Sequence, residues 1–372
     1  MRGRRAGAAP MHAECGGVFH PGVGLSAKEI SVTAFFGTGR MGLNAIGAAN
    51  RRFFWNNEER RVRALWRLLL QAFLMVGLGL LPILLIAEPL TALHKRGLFL
   101  TSLDKESYDR AINIIIGPVL TAMIITSIWL AGRWLDRRKL ADFGLHLTRK
   151  WYADLFFGLG LGAVLMSLVF CLEYQQGWIR AVGTFQTTVP GLSLSLGLLF
   201  SVTKDLCVGI YEEMVSRGYQ LTNVAEGLSG TLGLSRRGAV GLSILLTSAI
   251  FGGLHAFNEN STLCSSANLG LIGMMFALGY ALTGELGLPI GLHISWNFFQ
   301  GTVFGLPVSG AKEGASLIAI QQSGPVGITG GNFGPEAGLA GSMAALLGIA
   351  LIVAWSRLRR HKTESPLDCS QP

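Results

Sequence analysis

The stretch Leu192-Ser-Leu-Ser-Leu-Gly-Leu-Leu-Phe-Ser-Val-Thr-Lys-Asp-Leu-Cys-Val-Gly-Ile-Tyr-Glu-Glu-Met-Val-Ser-Arg-Gly-Tyr219 runs an apolar segment, Leu192 to Ile210, straight into Glu212, Glu213 and Arg217. Such a segment approaches the ~20 residues a helix needs to cross hydrocarbon. One ionised side chain at mid-bilayer costs roughly 2.5–3.5 kcal/mol. Three of them held together therefore require pairing, a wet cavity or a task. On a helix Glu213 and Arg217 share a face, four residues apart, with the acid on the favourable N-terminal side. Glu212 points about 100° away and has no partner nearby in sequence. The paired acid reads as structural and its unpaired neighbour as the one able to act on water.

The surrounding composition fits a membrane protein. The mean hydropathy is +0.45, half the residues are apolar and 14% are charged, outside the range of ordinary soluble chains. Fifty glycines suit helices packed closely in lipid. The net charge of +9 does not indicate nucleic acid, because the basic residues fall between apolar blocks. Cys15, Cys171, Cys207, Cys264 and Cys369 show no metal-binding or disulfide spacing, and the middle three read as small hydrophobes.

Eight apolar segments follow one another at about 65–87, 112–131, 151–172, 192–210, 239–257, 269–283, 290–306 and 337–355. The expected architecture is all-α: a polytopic transmembrane helical bundle of about eight spans behind a disordered N-terminal tail. Residues 1–64 read as that basic cytoplasmic tail, 65–356 as the transmembrane domain and 357–372 as a second cytoplasmic tail. No cleavable signal peptide is evident after Arg2, Arg4 and Arg5. With the N-terminus inside, the cytoplasmic set carries 23 Lys and Arg and the opposite set 6, which places both termini in the cytoplasm of a multi-pass cell-membrane protein. The long 307–336 connection reads as external and irregular.

Polar groups recur inside the later segments. Phe251-Gly-Gly-Leu-His255 ends the fifth, and His293-Ile-Ser-Trp-Asn297 in the seventh puts His293 and Asn297 on one helix face. Residues 211–228 contain no proline, and Gly227 and Gly230 are stop signals, so the fourth helix is expected to continue through them. A turn near 232–234 then brings Glu212 and His255 level on antiparallel helices. A glutamate and a histidine facing one water can activate it for attack on a carbonyl. A histidine and an asparagine can donate to the oxyanion that forms. No Ser or Cys stands in a nucleophile's setting. No cofactor is expected, although a zinc ion held by Glu212 or Glu213 with His255 and His293 stays open as an alternative. A small-molecule transporter would show repeat halves or paired broken helices, and neither is found.

The three motifs EExxxR (Glu212 to Arg217), FxxxH (Phe251 to His255) and HxxxN (His293 to Asn297), in that order on separate hydrophobic segments, resemble the CPBP intramembrane proteases. That group includes the type II CAAX prenyl endopeptidase and the Abi proteins. The resemblance covers about residues 140–305, a protease-like core introduced by Asp142-Phe-Gly-Leu-His-Leu147. It implies a peptide hydrolase with Glu212 as water-activating base and His255 as its partner. His293 and Asn297 would form an oxyanion hole, and Glu213 with Arg217 would brace the site. The implied partners are a peptide or protein substrate and membrane lipid, with no nucleic acid. A non-catalytic scaffold or immunity-type protein that keeps the fold and binds a peptide is the alternative. Ser216 stands where the family often has an aromatic residue. Cys369-Ser-Gln-Pro372 is a poor CAAX box because its middle residues are polar.

Overall fold

A Ser, Thr or Asp stands immediately before several of the apolar runs, and in the computed structural model those residues cap helices. The structure describes residues 54–363 apart from 57–58, 189–190 and 230–232. Most of the expected N-terminal tail, and the end of the C-terminal one, lie outside the described residues. Asp104, Thr148, Ser193, Ser235 and Thr262 each accept a backbone N–H three residues on. Each satisfies a donor that the first helical turn leaves without a partner.

The long helices are α1 (Ala64–Lys95), α2 (Lys105–Asp136), α3 (Arg149–Gln175), α4 (Leu194–Leu228), α5 (Arg236–Phe257), α6 (Leu263–Thr283) and α8 (Leu339–Thr363). All seven are long and apolar enough to cross a membrane. Of the described residues 74% are helical, and the fold is nearly all-α. Between α6 and α8 lies the short α7 (Gly287–Asn297), extended by a π-helical turn, Phe298–Val303. The seventh expected span is thus helical but shorter than the others, and every α7 residue but one is buried.

α7 is pressed against α3 by glycines on both sides. A Cβ on Gly158 or Gly162 of α3, or on Gly287 or Gly291 of α7, would run into the opposite helix, mostly its backbone. Small residues at such crossings let the backbones touch, and dispersion replaces the hydrophobic drive that lipid cannot supply. Gly291→Leu therefore forces the helices apart. A loss of several degrees in thermal melting, in detergent, is expected; an unchanged melting point would show that the crossing tolerates bulk.

Two corrections concern what was read as irregular. β1 (Trp55–Asn56) and β2 (Arg61–Val62) pair within the stretch expected as tail. β3 (Ile179–Thr187) and β4 (Ala315–Gln322) form an antiparallel sheet that joins the connection after α3 to the 307–336 segment. The latter is therefore partly ordered strand rather than irregular loop.

The end of the bundle nearest the α1 start is tied by charge. Arg67, inside the first apolar run, is buried and donates to Asp136 at the end of α2 (2.7 Å) and to Glu226 near the end of α4 (3.2 Å). Tyr219 donates to the other Asp136 oxygen at 2.8 Å. A buried arginine is tolerable only when its charge is paired, and here α2 and α4 each supply a carboxylate.

Candidate functional site

α4 continues without a break to Leu228, so the expected extension holds, with a π-helical turn over Met214–Leu221. Glu212 and Glu213 close the regular part of the helix just ahead of that turn, and such turns are frequent at functional sites. α5 returns antiparallel and tightens at His255–Phe257 into a single 3₁₀ turn. Glu212 and His255 thereby come to line the same two cavities.

The sharp turn before α7 is held inside the protein by the 142–147 segment. The Leu286 N–H donates to the Gly144 carbonyl at 2.9 Å, and the Trp151 indole donates to that same oxygen at 3.1 Å. Glu285 is 3.0 Å from the His146 imidazole, which assigns this acid to holding the turn. Gly144 has φ +93°, and a Cβ there would meet the Tyr280 ring and the Leu286 backbone. These contacts set the depth of His293 and Asn297.

Four residues singled out from the sequence, Glu212, His255, His293 and Asn297, line one cavity of about 490 Å³. Lys204 and Ser309 join them on its wall. Lys204 is ion-paired to Glu313 and lies 3.8 Å from its sequence neighbour Asp205. On the other side of Glu212 and His255 lies a largely apolar groove of about 510 Å³ between α1, α2, α4 and α5. The carboxylate and the imidazole stand where the two spaces meet.

The protonation chemistry follows from the hydrogen bonds. His255 Nδ1 is 2.7 Å from the Phe251 carbonyl. A carbonyl only accepts, so Nδ1 carries the proton and Nε2 is left with a lone pair when the ring is neutral. Glu212 Oε1 receives the Tyr211 hydroxyl at 3.4 Å, while Oε2 is buried with no partner among the described residues. This oxygen is the unmet acceptor beside the cavity.

Glu213 is fully buried, and its Oε1 accepts from Arg217 Nη1 at 2.9 Å and lies 2.8 Å from His293 Nδ1, while its Oε2, like that of Glu212, has no partner among the described residues. The other guanidinium nitrogen donates to the Gly273 carbonyl on α6 at 3.1 Å. The Arg217 plane lies over Phe251 (4.4 Å) and Phe276 (5.2 Å), so charge and aromatic faces hold it together. His293 stacks on Phe276 at 4.9 Å. Glu213 and Arg217 thus fix the His293 ring from behind. Among the described residues no group of three or more His, Cys, Asp or Glu stands close enough to hold a metal ion.

Sequence reasoning missed Glu336. It is 3% exposed and lines, with His255, His293, Asn297 and Ser309, a small void of about 20 Å³ beside the main cavity. A signal for it existed: between Glu313 and Arg357 it is the lone charged residue in the chain.

Residues 193–299 match the family described as type II CAAX prenyl endopeptidase Rce1-like. The match spans less than half of the chain but takes in all three motifs. It supports a CPBP-family protein and an intramembrane CAAX-protease kind of function. With the seven apolar helices it points to a multi-pass membrane protein whose substrate is peptide or protein. No curated protein and no solved structure matches the chain.

Proposed function

Since the 193–299 match supports a CPBP-family protein, we propose that the chain is an intramembrane endopeptidase whose water is activated by Glu212 and His255. The observation that carries this reading is that Glu212, His255, His293 and Asn297, from three helices, line a single cavity. Glu212, through its unpartnered Oε2, takes a proton from water as the hydroxide oxygen bonds to the peptide carbonyl carbon. The neutral His255 Nε2 accepts a hydrogen bond from the same water and orients it. Asn297, and His293 with both ring nitrogens protonated (Nδ1 to Glu213, Nε2 to the substrate), donate to the carbonyl oxygen as it becomes an oxyanion. Collapse of the tetrahedral species breaks the C–N bond, and the proton held by Glu212 passes to the leaving amine. One water is consumed, and a carboxylic acid and an amine are produced.

Glu213 and Arg217 act behind this set by fixing His293. The junction of an apolar groove with a more polar cavity suits a substrate with a lipid-soluble part on one side of the cleaved bond and a hydrated part on the other. The bias of Lys and Arg supports a cell-membrane setting with both termini in the cytoplasm. No metal takes part in this reading.

The deciding experiment compares peptides released from membranes carrying the wild-type chain and Glu212→Gln, read by mass spectrometry, with and without a strong chelator. Peptides that depend on Glu212 and persist under chelation are expected. Equal release from both chains would favour a peptide-binding scaffold. Release that chelation stops and zinc restores would replace this mechanism with a metal-dependent one.

A further inference from the structure

Pro307 to Ala311 runs along the cavity as a short strap, held by Asn258, Asn260, Gln300, Phe333 and Glu336. Ser309 takes φ +47°, an uncommon conformation for a residue other than glycine, so its neighbours must hold it there. Its N–H and its hydroxyl both donate to one oxygen of Glu336, at 2.5 and 2.9 Å. The Ser309 carbonyl receives the Asn258 amide at 3.0 Å, and Asn258 follows His255 by three residues. Gly310 donates to the Phe333 carbonyl at 2.9 Å, and a Cβ there would strike the backbone of Glu259. Val308, Ser309, Gly310 and Ala311 all line the same cavity as Glu212 and His255. The strap is therefore one wall of the space in which a substrate would lie.

Glu336 is placed to control that wall and the imidazoles together. The void it shares with His255 and His293 holds about 20 Å³, room for a single water. Burial raises its proton affinity above the ordinary carboxylate value, and the Ser309 bonds and the nearby histidines oppose that rise. The residue lies outside 193–299, so nothing in the family match assigns it a role.

We propose that Glu336 is a positioning residue that clamps the 307–311 strap over the cavity and fixes its distance from His255 and His293. This rests on the proteolytic reading of the cavity. The part played by Glu336 is geometric: two hydrogen bonds accepted by one oxygen. A glutamine oxygen can accept both, whereas alanine accepts neither.

The test uses the full chain in lipid nanodiscs, as wild type, Glu336→Ala and Glu336→Gln. Amide hydrogen exchange of residues 307–311 reads the clamp without reference to catalysis. Protection in wild type, its loss in Glu336→Ala and its return in Glu336→Gln are expected. Peptide release from membranes reads the consequence. Displacing a reacting geometry by about 1 Å costs on the order of 10²-fold, so a fall of that size is expected for Glu336→Ala, with recovery in Glu336→Gln. Unchanged strap exchange in Glu336→Ala overturns the clamp. Lost protection with wild-type release overturns the positioning role, and so does a glutamine variant as impaired as the alanine one. Failure of the proteolytic reading has its own signature: Glu212→Gln releases the same peptides as wild type while the strap exchange still responds to Glu336.

Discussion

Glu212→Gln removes peptide release almost completely and leaves the melting temperature where it was or slightly higher. Loss of a positioned general base costs about 10²–10⁴-fold in rate. The stability expectation comes from Oε2, which is buried with no partner among the described residues. An uncompensated carboxylate is a burden on the fold, and an amide of the same shape relieves it. The neighbouring acid supplies the control. Glu213→Gln breaks a fully buried pair with Arg217 and disturbs His293, so its loss of activity comes with a loss of stability. Activity and melting measured on both variants separate the two acids. The assignment fails if Glu212→Gln is destabilised as much as Glu213→Gln, or if it retains most of its turnover.

That difference between adjacent acids is legible in the sequence because it depends on helix geometry alone. The four-residue spacing to Arg217 pairs Glu213, and the absence of proline from 211–228 carries α4 far enough for Glu212 to meet His255. The depth of His293 is less legible. It requires a turn drawn inward, and the groups that hold the turn, Gly144 and His146, lie about 140 residues earlier in the chain. The β3–β4 sheet and the Ser309–Glu336 clamp are invisible for a related reason. Each joins segments that emerge from different helices, and local periodicity contains no information about which loops meet. The lone charge at Glu336 marks an unusual place without naming its partner. The short α7 is overestimated as a span because its apolar run has the composition of a lipid-crossing helix. Its burial comes from packing against α3, α4 and α6, which the run itself does not contain.

Asn297→Ala lowers kcat and kcat/KM together, by about 10²–10³-fold, which corresponds to roughly 2.7–4 kcal/mol of transition-state stabilisation. The side chain is 6% exposed and sits one helical turn beyond His293 on the same α7 face, where both reach the cavity. An amide there has little to donate to while the substrate carbonyl is neutral and planar. Its hydrogen bond strengthens as negative charge gathers on the oxygen, so the loss appears in turnover rather than in binding. The bundle loses little by comparison, because α7 is held by its glycine contacts with α3 and by the Glu213–His293 link. Steady-state kinetics on a peptide that depends on Glu212, set beside thermal melting, decide the matter. A raised KM with unchanged kcat would make Asn297 a ground-state contact. A melting loss in proportion to the activity loss would make it a packing residue, and the oxyanion would then need a donor other than this amide.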